Sequence, residues 1–379
     1  MKISQIQWVA DRGWSPEKPG KLGDAAQLVM VFGHRSVLSN LQLLNEVEQA
    51  YPKAHLLGCS TAGEICDVEV WDKSLVVTAI QFEHTEIVGH SVQISDTADG
   101  FQAGERLAQK LSPDGLSHVF VLSDGLNVNG SELVRGLVKH LPETVTITGG
   151  LSGDGAHFEQ TLVMWNAAPK EGVIVAIGLY GDRLTVGCGS GGGWDAFGPE
   201  RLVTKAKGNV LYQLDGKSAL SLYKQYLGKH AAELPGSGLL FPLKLRTDAD
   251  EMAVVRTILS VDEGNQSMTF AGDVPEGSHV QLMKANFEQL VDGAIVAAKK
   301  SLEGLGQQSP ELAICISCVG RKLVLKQQIE EEIEGVRDVL GDKAVLTGFY
   351  SYGEIAPFKS GVECVLHNQT MTITTLSEA

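Results

Sequence analysis

No basic cluster interrupts this sequence: 46 Asp and Glu outnumber 31 Lys and Arg, for a net charge of −15 over 379 residues. A field of that sign repels phosphate backbones, which excludes a general nucleic-acid binder. No apolar run approaches the length of a membrane span. The opening residues Met1 to Gly20 carry Asp11, Arg12, Pro16, Glu17 and Pro19, so the apolar core of a secretory signal is absent too. Cysteines are few and scattered, at 59, 66, 188, 315, 318 and 364, and read as reduced thiols rather than a disulfide scaffold. These absences leave a soluble, cytoplasmic protein with neither membrane nor nucleic acid as partner. Its length exceeds one ordinary domain, and 43% hydrophobic residues suffice for two cores.

Enzyme signatures are missing as well. Ser60 in GCSTAG has its second glycine one position too late for a nucleophile elbow. Gly187, Gly189 and Gly192 satisfy GxGxxG, but Trp194 to Pro199 follow where a helix would have to open onto a pyrophosphate. Gly216-Lys217-Ser218 lacks the upstream glycine of a P-loop, since Leu211 stands there.

What the chain does have is a repeat. Gly58 to Ile65, GCSTAGEI, returns as Gly348 to Ile355, GFYSYGEI. Each copy ends a longer unit. The first runs through an apolar strand (Leu28 to Phe32), a Gly33-His34 break, a helix with Val37, Leu41, Leu44 and Val47 on one face, and a strand at Leu56-Leu57. The third repeats this with Leu312 to Ile316, Ser317-Cys318, a helix carrying Ile329, Ile333, Val336 and Leu340, and Val345-Leu346. A looser middle copy has Val119 to Leu122, then Ser123-Asp124-Gly125. A helix opens at Asn129 with Glu132 in capping-box spacing, and Val145 to Ile147 lead into Gly149 to Asp154.

Strand-helix-strand crossovers bring strands back parallel, with the ligand crevice beyond their carboxyl ends. Between the repeats, Leu75 to Phe82, Thr161 to Asn166, Val173 to Tyr180 and Leu184 to Cys188 read as strands of a meander. Asp215-Gly216 is a turn signal before a helix with Leu220, Tyr223 and Leu227 on one side. Met252 to Gly272 reads as two strands, followed by an exposed turn at Asp273 to Gly277, and a helix is expected over Asn286 to Leu302. The expected fold is α/β: two domains, with repeated β-loop-α-β units of largely parallel strand pairs plus an antiparallel β meander. The boundary falls near residue 215, giving a lead segment 1–24 and domains 25–215 and 216–379.

GCSTAGEI, the middle GGLSGD and Trp194 to Ala206 (WDAFGPERLVTKA) resemble the FIST N-terminal domain. LDGKSAL at 214–220, ELPGSGLLFPL at 233–243, SCVGRKLVL at 317–325, GFYSYGEIAP at 348–357 and HNQT at 367–370 resemble its C-terminal partner. The resemblance implies a bacterial signal-input module that binds small ligands. One branch, the nitric-oxide-sensing NosP type, implies a haem b cofactor and a partner histidine kinase or cyclic-di-GMP enzyme (diguanylate cyclase or phosphodiesterase). No kinase, cyclase or methyl-accepting region is present, so signalling would pass through a separate partner; a homodimer is left open as the assembly. A sensor of another metabolite such as an amino acid, an apo scaffold acting by contact, and an enzyme using Glu64 and Glu354 are the alternatives.

The candidate ligand residues lie at the strand ends. Gly58, Ser60, Thr61, Gly63 and Glu64 would oppose Ser351, Tyr352 and Glu354 across a shared pocket in which each glutamate raises the other's pKa. Alternatively, the glutamates accept turn N–H bonds and the glycines supply positive φ. Ser123, Asp124, Asn127 and Asn129 form a second polar cluster or a helix-capping set, and Ser152 and Asp154 close the middle turn. Arg321 reads as a clamp for a carboxylate or haem propionate, or as a surface ion pair. Cys315 and Cys318 form a CxxC, but strand alternation separates the thiols and no second pair completes a zinc site. An axial haem ligand would come from His34, past the first strand, His367 in HNQT, or His230.

Overall fold

The computed structural model describes residues 1–247 and 253–379. Three units of one design make up its core. Each has a lead strand, a helical crossover, a parallel return strand, and a flanking strand antiparallel to the lead. In unit one these strands are Leu28–His34, His55–Thr61 and Ser74–Gln81. In unit two they are Leu116–Ser123, Thr146–Leu151 and Val173–Tyr180. In unit three they are Leu312–Cys318, Val345–Ser351 and Met371–Glu378. The lead strands are apolar almost throughout and buried on both faces, as strands covered by neighbouring layers must be.

The crossover helices form where the periodicity places them, though two are interrupted. Unit one has Arg35–Leu38 and Leu41–Ala50, because Asn40 takes an extended conformation and caps the second helix through Gln42 N–H. Unit three has Val319–Leu325 and Glu330–Leu340. In unit two Asn129 accepts from Ser131 and Glu132 N–H to open Gly130–Val138.

The segments read as one meander do form strands, but in three sheets. Ser74–Gln81 and Val163–Trp165 join the first, Val173–Tyr180 the second and Leu184–Gly191 the third. Each lead strand has a free edge opposite its return strand, and a flanking strand from this region, or Met371–Glu378 in unit three, satisfies it.

After each return strand the chain leaves its own sheet and pairs antiparallel with the return strand of another unit. Glu64–Cys66 crosses from unit one to unit three, Gly353–Pro357 from unit three to unit two, and Val163–Trp165 from unit two to unit one. The exchange is cyclic. Strands on both sides of residue 215 therefore share sheets.

A purely antiparallel layer, from Trp194–Lys207 through His279–Ala285, packs with helix Ala219–Leu227 around its own apolar cluster containing Leu211, Leu220, Tyr223 and Phe270. Asp215 and Gly216, both at positive φ, make the expected turn between Val210–Leu214 and Lys217–Ser218. Met252, where the expected strand pair begins, lies outside the described residues; Val254–Arg256, Ile258–Asp262 and Ser267–Phe270 form beyond it. Helix Phe287–Leu305, capped by Asn286, packs on Leu184–Gly191 and on Glu330–Leu340.

The return strands need glycine at one shared position. A Cβ on Gly58, Gly149 or Gly348 would stand 2.4, 1.9 or 1.7 Å from the carbonyl oxygen of Val31, Val121 or Cys315 on the lead strand. Gly348→Ala is expected to destabilise the protein by about 3 kcal/mol or more. Gly192→Ala, where a Cβ meets nothing within 4 Å, should change stability by no more than about 0.5 kcal/mol. Urea midpoints of the two variants decide it; equal midpoints contradict the packing argument.

Candidate functional site

The three turns meet at one junction. Ala62 N–H donates to Tyr350 O (2.8 Å), Gly153 N–H to Ser60 O (2.9 Å) and Tyr352 N–H to Leu151 O (3.2 Å), each donor in one unit and each acceptor in the next. Tyr350 N–H also donates to Gly63 O (2.8 Å), and Ser60 Oγ accepts Leu162 N–H (2.8 Å).

Behind this junction the two glutamates sit in matching cradles. Glu64 accepts the Thr61 hydroxyl and, on its other oxygen, Ser74 N–H (3.1 Å) and Ser74 Oγ (2.8 Å). Glu354 accepts Ser351 Oγ (2.7 Å), Thr370 N–H (3.2 Å) and Thr370 Oγ1 (2.8 Å). Both are fully buried, and burial pushes each carboxyl up to about 7. The shared pocket with mutual pKa elevation is not what forms. The partner sets are separate, and burial, opposed by hydroxyl and amide donors, sets both shifts; Lys322 lowers Glu64 and Arg321 lowers Glu354. Lys322 Nζ donates to Ala62 O (2.8 Å) and pairs with Asp72.

Unit two departs from the pattern, and aspartates take over. Asp154 accepts N–H from Phe158 (2.9 Å), Glu159 and Gln160 (both 3.0 Å), accepts the Tyr352 hydroxyl, and pairs with Arg35 (3.3 Å). Asp124 accepts Leu126 and Asn127 N–H (both 2.8 Å), Asn127 Nδ2 (3.1 Å) and Gly172 N–H (2.7 Å). Ser152 Oγ donates to Ser123 O (3.0 Å), and Ser123 Oγ to Asp124 O (3.1 Å). The candidate turn residues are thus brought to one region, and their polar atoms are spent on one another and on neighbouring hydroxyl and backbone N–H groups.

Arg321 is neither ligand clamp nor surface pair. It is fully buried, with Nε (3.0 Å) and Nη2 (2.7 Å) on Glu332 and further bonds to Gly192 O and Leu290 O. Glu332 also accepts Ser317 Oγ and the Tyr350 hydroxyl. The internal carboxylate eleven residues on, facing inward from Glu330–Leu340, was hidden by its run of acidic neighbours. Cys315 and Cys318 are buried and unbridged, burial pushes the Cys315 thiol up to about 12, and no metal-holding cluster occurs among the described residues.

The three histidines do not converge. His34 Nδ1 lies 2.9 Å from Ser36 Oγ, and burial and Lys73 lower its pKa. His367 is buried, its Nε2 2.9 Å from Ala356 O and its ring edge-on to Phe358, with burial pulling its pKa down to about 4. His230 sits on the short helix Gly228–Glu233 against Phe241.

Sequence reasoning missed a cavity of about 480 Å³ between helix Gly130–Val138, strands Leu243–Arg246 and Val254–Arg256, and strand Cys364–His367. Val138, Leu245, Val254, Phe358 and Leu366 give it apolar walls, and Arg256 reaches into it. No residue of either Gly-Glu turn lines it. Its sequence signal is a charge in the run Val254-Val255-Arg256-Thr257-Ile258, where a strand of this layer has an inward side chain.

A family model described as the FIST N domain matches residues 27–217, and one described as the FIST C domain matches 219–357. An uncharacterized protein of Methanocaldococcus jannaschii, MJ1623, is 25% identical over 337 residues, 83% of this chain and 62% of its own length, so the chain spans less than two thirds of that relative. Among solved structures, cyanuric acid hydrolase from A. caulinodans aligns over 78% of this chain and 99% of its own at 12% identity and a TM-score of 0.18. PurLQS from Thermotoga maritima aligns over 84% and 74% at 7% and 0.20. Likenesses at these scores carry no weight for activity.

The glutamate cradles have a pH signature. Between the ordinary value of 4.5 and about 7 the native carboxyls hold protons that the unfolded chain has released. Their contribution is complete below pH 4.5 and lost as pH rises through 7. Urea denaturation across this range should show stability falling by up to about 1.4 kcal/mol per pH unit for each carboxyl. Glu64→Gln/Glu354→Gln should flatten that fall; an unchanged slope refutes the assignment.

Proposed function

The chain belongs to the FIST family, whose domains are in general small-ligand sensory domains of signalling proteins, and from that premise we propose that it is a sensor whose small ligand enters the cavity beside Arg256. One observation carries the reading. The walls come from both matched segments, helix Gly130–Val138 on one side and the strands holding Leu245 and Arg256 on the other, joined by Leu366 from the strand just beyond the second segment. A ligand there touches two layers at once, so its occupancy favours whichever relative placement of the layers it fits better. The output passes to a separate partner, a histidine kinase or a diguanylate cyclase or phosphodiesterase, in the cytoplasm, with a homodimer as the proposed assembly. Among the described residues no helix is long and apolar enough to cross a membrane. The enzyme reading through Glu64 and Glu354 gains no support, since both carboxylates are buried within their own hydroxyl and amide partners.

Haem b with nitric oxide as the signal is the finer reading that the resemblance brought. Non-covalent haem needs an axial His, Cys, Met or Tyr facing a slot that admits the porphyrin. His367 Nε2 faces Ala356 O, His34 Nδ1 faces Ser36, and neither they nor His230 lines the cavity at Arg256. As placed, these three histidines do not meet a porphyrin in that cavity. Haem titrated into the purified protein is expected to give no Soret band beyond that of nonspecific binding. A band that shifts on nitric oxide and disappears in His34→Ala would reinstate haem.

The cavity itself is tested by thermal shift with a panel of organic acids, amines, sugars and nucleosides. At least one compound should raise the Tm by about 2 °C or more, and Val138→Trp, which fills the cavity, should abolish that rise. A compound that stabilises both proteins alike places the ligand elsewhere.

A further inference from the structure

Arg256 is an unusual group to find on an apolar wall. It is 7% exposed, and its partners are all backbone carbonyls: Asp273 O from Nε (3.0 Å), and Val255 O and Leu366 O from Nη1 (both 3.1 Å). Among the described residues no carboxylate forms an ion pair with it and Nη2 makes no hydrogen bond. Carbonyl oxygens satisfy N–H groups without neutralising the charge. A buried cation left in that state is costly, and burial accordingly pulls its pKa down to about 10.

The surroundings keep that charge in place and open. A Cβ on Gly272 would come within 3.0 Å of Arg256 Nε and 2.7 Å of Ser131 Oγ, so the bare glycine makes room for the guanidinium. The nearest acid, Asp273, is engaged elsewhere: one oxygen accepts Asn129 Nδ2 (2.8 Å) and the other pairs with Arg135 (3.2 Å). Glu363 also borders the cavity, but on its exposed rim. Leu245, Val254, Phe358 and Leu366 give the same cavity its aliphatic and aromatic lining, with Ser131, Arg135 and Asp273 on its polar side.

We infer that this cavity takes a small carboxylic acid with a short aliphatic chain, its carboxylate paired with Arg256 and its chain against the apolar wall. The inference rests on the cavity being the ligand site proposed above and specifies the ligand's chemistry. A carboxylate supplies the counter-charge that the carbonyls cannot, through a charge-assisted hydrogen bond to Nη2. Because Nη1 also holds Leu366 O, on the strand Cys364–His367 of the three-unit core, while Arg256 belongs to the antiparallel layer, the pairing acts at the seam between the two.

Hexanoate and its neutral isostere hexanamide separate charge from shape. Calorimetric titration of the full chain should show hexanoate binding about 10- to 100-fold more tightly than hexanamide, the worth of one hydrogen bond to a charged group. In Arg256→Gln the two should bind alike. The acid-against-amide comparison on the unaltered protein decides the matter even where that variant folds poorly. Equal binding of acid and amide, both lost in Val138→Trp, overturns the carboxylate while leaving the cavity as the ligand site. Binding of neither overturns the inference, and the thermal-shift panel then reports separately on whether the cavity binds anything.

Discussion

Three backbone hydrogen bonds arranged in a ring hold this molecule to its shape: Ala62 to Tyr350, Gly153 to Ser60 and Tyr352 to Leu151. Each joins one unit to the next, and each is possible only because a glycine two residues before the acceptor lets the return strand lie close against its lead strand. The cradles of Glu64 and Glu354, the Asp154–Tyr352 contact and the Arg321–Glu332 pair are arranged around that ring. Hydrogen bonds of this kind contribute about 1 kcal/mol each. Their importance is geometric: they fix where the crossing strands leave one sheet and enter another.

The units are alike in backbone and unlike in side chains. Units one and three place a carboxylate against hydroxyl donors at Ser74 and Thr370, while unit two has Gly155 at that place and uses Asp154 and Asp124 on backbone amides instead. A residue in the left-handed region precedes each flanking strand, Lys73, Gly172 and Gln369. The repeat therefore preserves turns and conformations more faithfully than chemistry. The cavity lies away from this junction, where the core meets the antiparallel layer.

Much of this order was legible in the sequence. Alternating glycines and apolar runs announced the three lead and return strands, because a strand covered on both faces has little choice of residue. The crossing strand Glu64–Cys66 was not legible, since three residues show no periodicity; Val163–Trp165 lies inside the segment Thr161 to Asn166 that reads as a strand, but its partner in another unit could not be read. The Gly-Glu turns were correctly singled out as special, but residue type alone cannot separate a carboxylate facing a ligand from one facing Thr61 and Ser74. Arg256 escaped altogether, since its position depends on Leu366, 110 residues away in sequence. Arg321 was singled out, but its inward partner was one glutamate among four and could not be told from the others.

Cyclic exchange of the crossing strands also means that no unit owns a complete sheet. A polypeptide severed in the hairpin at Asp215-Gly216 would leave the return strand Val345–Ser351 without Glu64–Cys66, and Thr146–Leu151 without Gly353–Pro357. Each fragment alone would present bare strand edges, the templates on which chains aggregate. The two fragments produced together, however, carry complementary edges, so a nicked molecule is held as a braid is held after one strand is cut.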